Sequence, residues 1–232
     1  MNTIIKIVFA LLLALVSHST VTAQQETMYI MIDGNISYKQ AVSDIDSIIF
    51  YTPTTGNSTT DPRDGKVYQT VTIGNQEWMA ENLAYAPSSG NFWAYGDDNS
   101  NAEIYGYLYD WETAQDACPT GWHLPSDAEW TELTDYLGGV SVAGGKLKEA
   151  GYTHWYRPNA GATNETLFRA LPGGSRSDDG IFNDIGKFGF WWSVTEYDTD
   201  NAYYRNVYYT VANVGRNNFS KEFGFSVRCV KD

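Results

Sequence analysis

Cys118 and Cys229 are the only cysteines in a chain of 232 residues, so the middle of the chain and its C-terminal end are the only places a covalent tie can form. The compartment decides whether it does. Lys6 precedes an unbroken apolar run from Ile7 to Val16, and Val21-Thr22-Ala23 supplies a small-residue cleavage site. Residues 1–23 therefore read as an export signal, with cleavage expected between Ala23 and Gln24. The product would be secreted, periplasmic or cell-surface associated. In an oxidising compartment two cysteines are expected to pair, the alternative being two separate buried thiols. The bond would close a loop of about 110 residues, worth about 4–5 kcal/mol by chain entropy and usually less in practice. The apolar run is too short to span a bilayer, and nothing later reaches that length. No cysteine follows the cleavage site to take a lipid. Neither a transmembrane span nor a lipid anchor is expected.

Around Cys118 lies the most strongly patterned stretch, Tyr107 to Gly139. Asp110 is an N-cap candidate, and Trp111, Ala114, Ala117 and Cys118 fall on one helical face. Pro119 stops that helix. Ser126 and Glu129 form a capping box for a second helix, expected to bury Trp130, Leu133, Tyr136 and Leu137 before Gly138-Gly139 ends it. The unit reads as a scaffold rather than a site.

The formal charge of −13 disfavours phosphate backbones, so nucleic acid is not an expected partner. With 8 Trp and 17 Tyr the chain is rich in rings, which suits irregular β structure whose polar tips reach the surface.

Upstream, residues 24–52 read as a small β-rich segment. Met28 to Ile32 and Ile36 to Val42 flank the hairpin signal Asp33-Gly34, and Ile45 to Tyr51 adds a third apolar run. Residues 53–61 are polar, aperiodic and interrupted by Gly, which predicts a linker. The main domain is expected over 62–232. Val67, Val71 and Ile73 predict one face of a strand, Gly74-Asn75 a turn, and Leu83 to Ile104 a long loop. Ala143 to Ala150 predicts a further short helix. Strands are expected at Phe168–Leu171, Phe190–Val194, Tyr203–Val211 and Phe223–Val230. Helices followed by antiparallel strands and large loops make an α+β class.

Five ordered stretches resemble one family: IGNQEWMAENL (73–83), YDWETAQDACPTGWHLPSDAEW (109–130), FRALPGGSR (168–176), GFWWSVTE (189–196) and GFSVRCVKD (224–232). They are similar to the Fibrobacter succinogenes major paralogous domain, over about residues 61–232. That family is abundant in exported proteins of Bacteroidetes and Fibrobacteres, and no biochemical activity defines it. A more distant resemblance, carried by Trp111, Cys118, Leu124-Pro125, Glu129-Trp130 and Gly224-Phe225…Arg228-Cys229, is to C-type lectin-like and formylglycine-generating (sulfatase-modifying) proteins. It implies a C-type lectin-like fold. In that fold a first-helix cysteine pairs with one on the last strand, the positions of Cys118 and Cys229.

The same resemblances weigh on function. Lectin-type calcium sites use Glu-Pro-Asn or Gln-Pro-Asp and a late Trp-Asn-Asp, none of which occurs; Phe182-Asn183-Asp184 is similar but misplaced. Asp97, Asn99, Asn101 and Glu103 offer oxygen ligands at alternate positions, yet as an EF-hand the run lacks the required Gly and Glu. No cofactor is expected, with calcium the one ion these weak candidates suit. Formylglycine chemistry needs free cysteines, and the iron-binding relatives need more histidines than His123 and His154. His123 reads as a hydrogen-bonded structural residue. No spacing singles out a carboxylate pair for glycoside hydrolysis, so an enzyme is not expected. What remains is the aromatics beside polar loops. Trp93, Tyr95, Trp155 and Tyr156 are the candidate ligand contacts, able to stack on a glycan or anchor a protein, or else to cap the core beneath the loops. Trp111, Trp122, Trp130 and Trp191 read as core. A non-catalytic surface or envelope module is the expectation; a component of a cell-surface assembly is the alternative, and an enzyme of unknown class the remote one.

Overall fold

A computed structural model describes residues 57–232 and, nearer the N-terminus, the backbone of strands Lys6–Ile7, Thr27–Ile32 and Asn35–Ala41. The chain divides into two compact units, Met1–Thr54 and Thr55–Asp232. In the first, the three strands form an antiparallel sheet in chain order. Its second and third strands flank Asp33-Gly34, where the turn signal places a hairpin. The cleavage site Ala23/Gln24, the run Ile45 to Tyr51 and the first part of the expected linker lie outside the described residues.

The second unit mixes helices with two larger sheets and one two-stranded hairpin. A five-stranded sheet runs Ser58–Thr60, Val67–Ile73, Gln76–Met79, Val230–Lys231, Trp122–His123. A six-stranded sheet runs Val214–Ser220, Asn201–Tyr208, Phe188–Glu196, Phe225–Ser226, Leu108–Tyr109, Phe92–Trp93. Residues 58–60, expected as linker, are thus an edge strand, and Asp61 behind them is fully buried against Arg63. On the Val67–Ile73 strand the expected face is wrong at its start. Val67 is half exposed, and Tyr68 and Thr70 point inward, because the Tyr68 hydroxyl accepts the Ala84 N–H at 3.0 Å.

Four helices occur among the described residues: α1 (Asn99–Tyr105), α2 (Trp111–Gln115), α3 (Asp127–Tyr136) and α4 (Val140–Leu147). Asp110 caps α2 by accepting the Thr113 N–H. This helix is shorter than expected, but Trp111, Ala114 and Ala117 are all buried. At α3 the capping box forms as read, Ser126 and Glu129 each satisfying the other's backbone. Trp130, Leu133 and Leu137 are buried, whereas Tyr136 is 67% exposed, correcting its placement in the core. Thr134 takes the inward place instead; at about 100° per residue Tyr136 falls well off the face that Trp130, Leu133 and Thr134 define. In α4, Gly144 and Gly145 lie so close to the carbonyls of Asn213 and Gly161 that a Cβ would come within 2.3 and 2.4 Å of them. Glycine is required there.

Other expectations fail for tertiary reasons. Residues 168–171 are not a strand: Leu167 and Arg169 have φ of +59° and +52°, a bend that drops Phe168 into the core beneath Arg228. Residues 223–230 split, Phe225–Ser226 joining the larger sheet and Val230–Lys231 the smaller. The crossing segment carries buried Val227, Arg228 and Cys229, and Cys229 bonds Cys118 with 5.9 Å between Cα atoms. The loop expected over 83–104 holds α1, and Val214–Ser220 is a strand where only loop was expected.

Asp127, the first residue of α3, ties this helix to the larger sheet. Its carboxylate accepts Arg205 Nη1, and Arg216 Nε and Nη2 reach it at 2.9 Å. Arg205 is 2% exposed. Lys148, fully buried, fixes the loop after α4 in a comparable way. Its ammonium donates to the carbonyls of Ala160, Tyr208 and Val211 at 2.9, 3.1 and 2.8 Å.

Candidate functional site

The surface that gathers the expected ligand residues is built by three loops. The first carries Trp93, at the end of a two-residue edge strand, and Tyr95, in the turn that follows. The second is the long loop after α4, with Trp155 and Tyr156. The third, residues 174–188, begins as a hairpin of Ser175–Arg176 and Phe182–Asn183. Its turn is closed by the Asp179 carboxylate, which accepts from Ser177 Oγ at 2.6 Å and the Ile181 N–H at 3.1 Å. Gly174 enters this hairpin at φ +68°, where a Cβ would come within 2.3 Å of the Asn183 carbonyl. Small residues at the base allow the rings above to meet.

Phe182 packs 5.2 Å from Tyr95, and the Arg176 guanidinium lies 4.1 Å from the Trp93 ring and 5.8 Å from Phe182. These four side chains form one half-buried cluster. Gly224 sits under it: a Cβ there would be 3.1 Å from Trp93 Cε3 and 3.2 Å from Arg176 Cβ. On the same segment, the Tyr156 N–H donates to the Gly186 carbonyl at 2.8 Å, and its 54% exposed ring covers Gly186. Tyr156 continues edge-on to Tyr209, and Tyr209 edge-on to Tyr208. Beside Tyr156, Arg157 lies 4.2 Å over the half-exposed ring of Tyr152. Trp93, Tyr95 and Tyr156 are therefore all brought to segment 174–188.

Trp155 is not. It is 2% exposed, and its indole N–H donates to the Ala170 carbonyl at 3.1 Å, so it belongs to the core rather than to a ligand surface. The rings on the nearby sheet face also serve packing. Phe188 stacks on Tyr208 at 4.1 Å and on Phe190 at 5.1 Å, and Phe190 on Phe225 at 5.0 Å. Rings stacked on one another offer edges, not faces, to a ligand.

Of the weak calcium candidates, Asn101 donates to the Tyr95 carbonyl at 2.9 Å and, at about 100° per residue, falls on the side of α1 opposite Asn99 and Glu103, while Asp97 precedes the Asp98 that caps the helix. Among the described residues no group of three or more His, Cys, Asp and Glu could hold a metal ion. His123 is bracketed, with Nδ1 2.7 Å from Asp232 and Nε2 2.8 Å from Glu129. Burial alone would lower its pKa, but the hydrogen bonds and charges of these two carboxylates raise it. It fastens the α3 capping box to residue 232.

A polar cleft of about 250 Å³ lies elsewhere, lined in part by Lys66, Glu81, Glu103, His154 and Arg169. At its floor Asn82 is occupied, its Oδ1 accepting from Arg228 and from the Trp191 indole and its Nδ2 donating to the Tyr105 carbonyl. Sequence reading missed Arg176 and Phe182 as partners of Trp93 and Tyr95. The turn signal Asp178-Asp179-Gly180 between them could have marked their hairpin.

No curated protein and no solved structure matches the chain. The model of the Fibrobacter succinogenes major domain matches residues 71–231, a span that includes the disulfide, α1 to α4 and all three loops. By that match the chain belongs to the Fibrobacter succinogenes major domain family.

Proposed function

We propose that this chain is an exported, non-catalytic surface or envelope module that binds a glycan or protein ligand through its loop face. The carrying observation is the meeting of Trp93, Tyr95, Phe182 and Tyr156 on one loop segment, with rings part-exposed rather than sealed in the core. Such rings present apolar faces at low entropic cost and suit both sugar stacking and protein anchoring. Binding is favoured over catalysis because the perturbed acids and histidine among the described residues have structural partners: Asp61 with Arg63, Asp127 with Arg205 and Arg216, His123 with Glu129 and Asp232. A glycan microarray, paired with pull-downs from envelope and host extracts, is the test. A hit that is lost on Trp93→Ala supports the reading; silence in both assays counts against it.

On the finer fold, we propose a C-type lectin-like domain. The disulfide from Cys118, just after α2, to Cys229 on the C-terminal segment supports it. The second reading is a component of a surface assembly, favoured by Asn35–Ala41 standing at the edge of the N-terminal sheet, where its outer backbone groups could pair with a neighbour. It predicts oligomers that vanish on deletion of residues 24–52, and a monomer unchanged by that deletion removes it.

A further inference from the structure

We propose that the loop face selects glycans that carry a carboxylate, and that Arg176 reads that group; this rests on the binding reading above. In a chain with 28 acidic and 15 basic side chains, cations are the scarce partner. Arg63, Arg169, Arg205 and Arg216 each meet a carboxylate. Among the described residues no direct ion pair joins Arg176 to a carboxylate, although its charge is felt at Asp179 in the adjoining turn. Its backbone is fixed by a reciprocal pair with Gly224, at 3.0 and 2.8 Å, and its guanidinium carbon lies over the Trp93 ring, 4.1 Å from the centroid. Nη1 gives one long bond to the Ser177 carbonyl at 3.3 Å. The Asp179 carboxylate, in the adjoining turn, is committed to Ser177 and Ile181.

A guanidinium over a ring keeps its N–H donors at its rim, and among the described residues Nη1 alone is engaged there, by the Ser177 carbonyl. That rim matches a planar carboxylate in two parallel hydrogen bonds. A held, undersupplied guanidinium beside the rings of Trp93, Tyr95 and Phe182 suits a sugar ring with a carboxylate at one edge and an apolar C–H face. An acidic peptide would use the guanidinium but not the rings, and a neutral sugar the rings but not the guanidinium. The net charge repels any polyanion at long range, but the screening length is about 8 Å at physiological salt, so contact chemistry decides.

The test uses the full exported chain at physiological salt against uronate polymers (polygalacturonate, alginate and hyaluronate), with methyl-esterified polygalacturonate as the neutral counterpart. Sulfated galactan and polyglutamate distinguish sulfate and acidic-peptide sources. At least one uronate should bind. Esterification, and separately Arg176→Lys, should each weaken it about tenfold, since neither keeps the paired fork. Thermal melting of Arg176→Lys and Arg176→Ala checks that both fold. Equal binding of acid and ester, preference for the sulfated polymer or polyglutamate, or an unchanged affinity in Arg176→Lys would overturn the inference. If neutral glycans bind and no uronate does, the inference falls while the loop-face reading stands. If no glycan binds at all, the inference falls and the glycan form of that reading falls with it.

Discussion

Replacing Asp127 with alanine removes the carboxylate that fastens α3 to the six-stranded sheet. Arg205, 2% exposed, would keep only its bonds to the Asp127 carbonyl and Thr131 Oγ1, both at 3.0 Å, and would lose its counter-charge. Removing one partner of a buried pair typically costs about 3–5 kcal/mol. The Asp127 side chain is 17% exposed, which argues for the lower end. Arg216 is 47% exposed, so its share is at most about 1 kcal/mol. A carboxylate in the first turn of a helix adds about 0.3–1 kcal/mol through the helix dipole. The expected loss is about 3 kcal/mol, or about 6–12 °C in Tm for a domain of this size. Urea unfolding at neutral pH, with unchanged slope, measures it. Adding Arg205→Met should recover much of the loss by removing the stranded cation. The pH dependence has a fixed sign. Burial would raise the Asp127 pKa, but Arg216 and Arg205 hold it below the usual 3.8. Its stabilisation is therefore present above pH 3.8 and lost as pH falls through the lower folded value, where wild type and variant should converge. A loss below about 1 kcal/mol, or a double variant no better than the single, would refute the assignment of Asp127 as the anchor.

Further outcomes follow from other contacts. Opening the Cys118–Cys229 bond, which spans 111 positions, should lower the urea midpoint by up to about 4–5 kcal/mol equivalent, and a midpoint indifferent to reductant would contradict the loop-closure argument. His123, its pKa raised above 6.5 by Asp232 and Glu129 against the effect of burial, should contribute stability that is full below pH 6.5 and lost as pH rises through the folded value. His123→Gln should flatten that slope, and an NMR titration giving a pKa at or below 6.5 would exclude the mechanism. Gly224→Ala should press on Trp93 and Arg176, costing about 1–3 kcal/mol by overpacking and weakening any loop-face ligand; a stable variant with intact binding would show that the cluster yields freely.

Local chemistry made the scaffold legible. Asp110, Ser126 and Glu129 act within three residues of themselves, so their caps could be read directly, and two cysteines left one pairing. Failures came where distant residues decide. Tyr68 turns inward because of Ala84, and Phe168 leaves a strand-like run because Arg228 lies above it. The segment after Phe223 breaks because it serves two sheets. At the candidate site, Trp93, Tyr95 and Tyr156 were marked by aromatic character beside polar loops. Nothing local separated Trp155 from Tyr156; the buried Ala170 carbonyl did. Arg176 stayed hidden because its meaning lies in its neighbours, with Trp93 83 positions upstream and Gly224 on the C-terminal segment.

The most direct measurement of loop-face binding is amide shift mapping by NMR, with the best ligand from the glycan array titrated into the labelled chain. Shifts should concentrate in residues 92–98, 150–158 and 174–188 and in the indole N–H of Trp93, leaving the buried indole of Trp155 still. Shifts centred instead on the polar cleft around Lys66 and Arg169, or on α3 and the Cys118–Cys229 region, would contradict it.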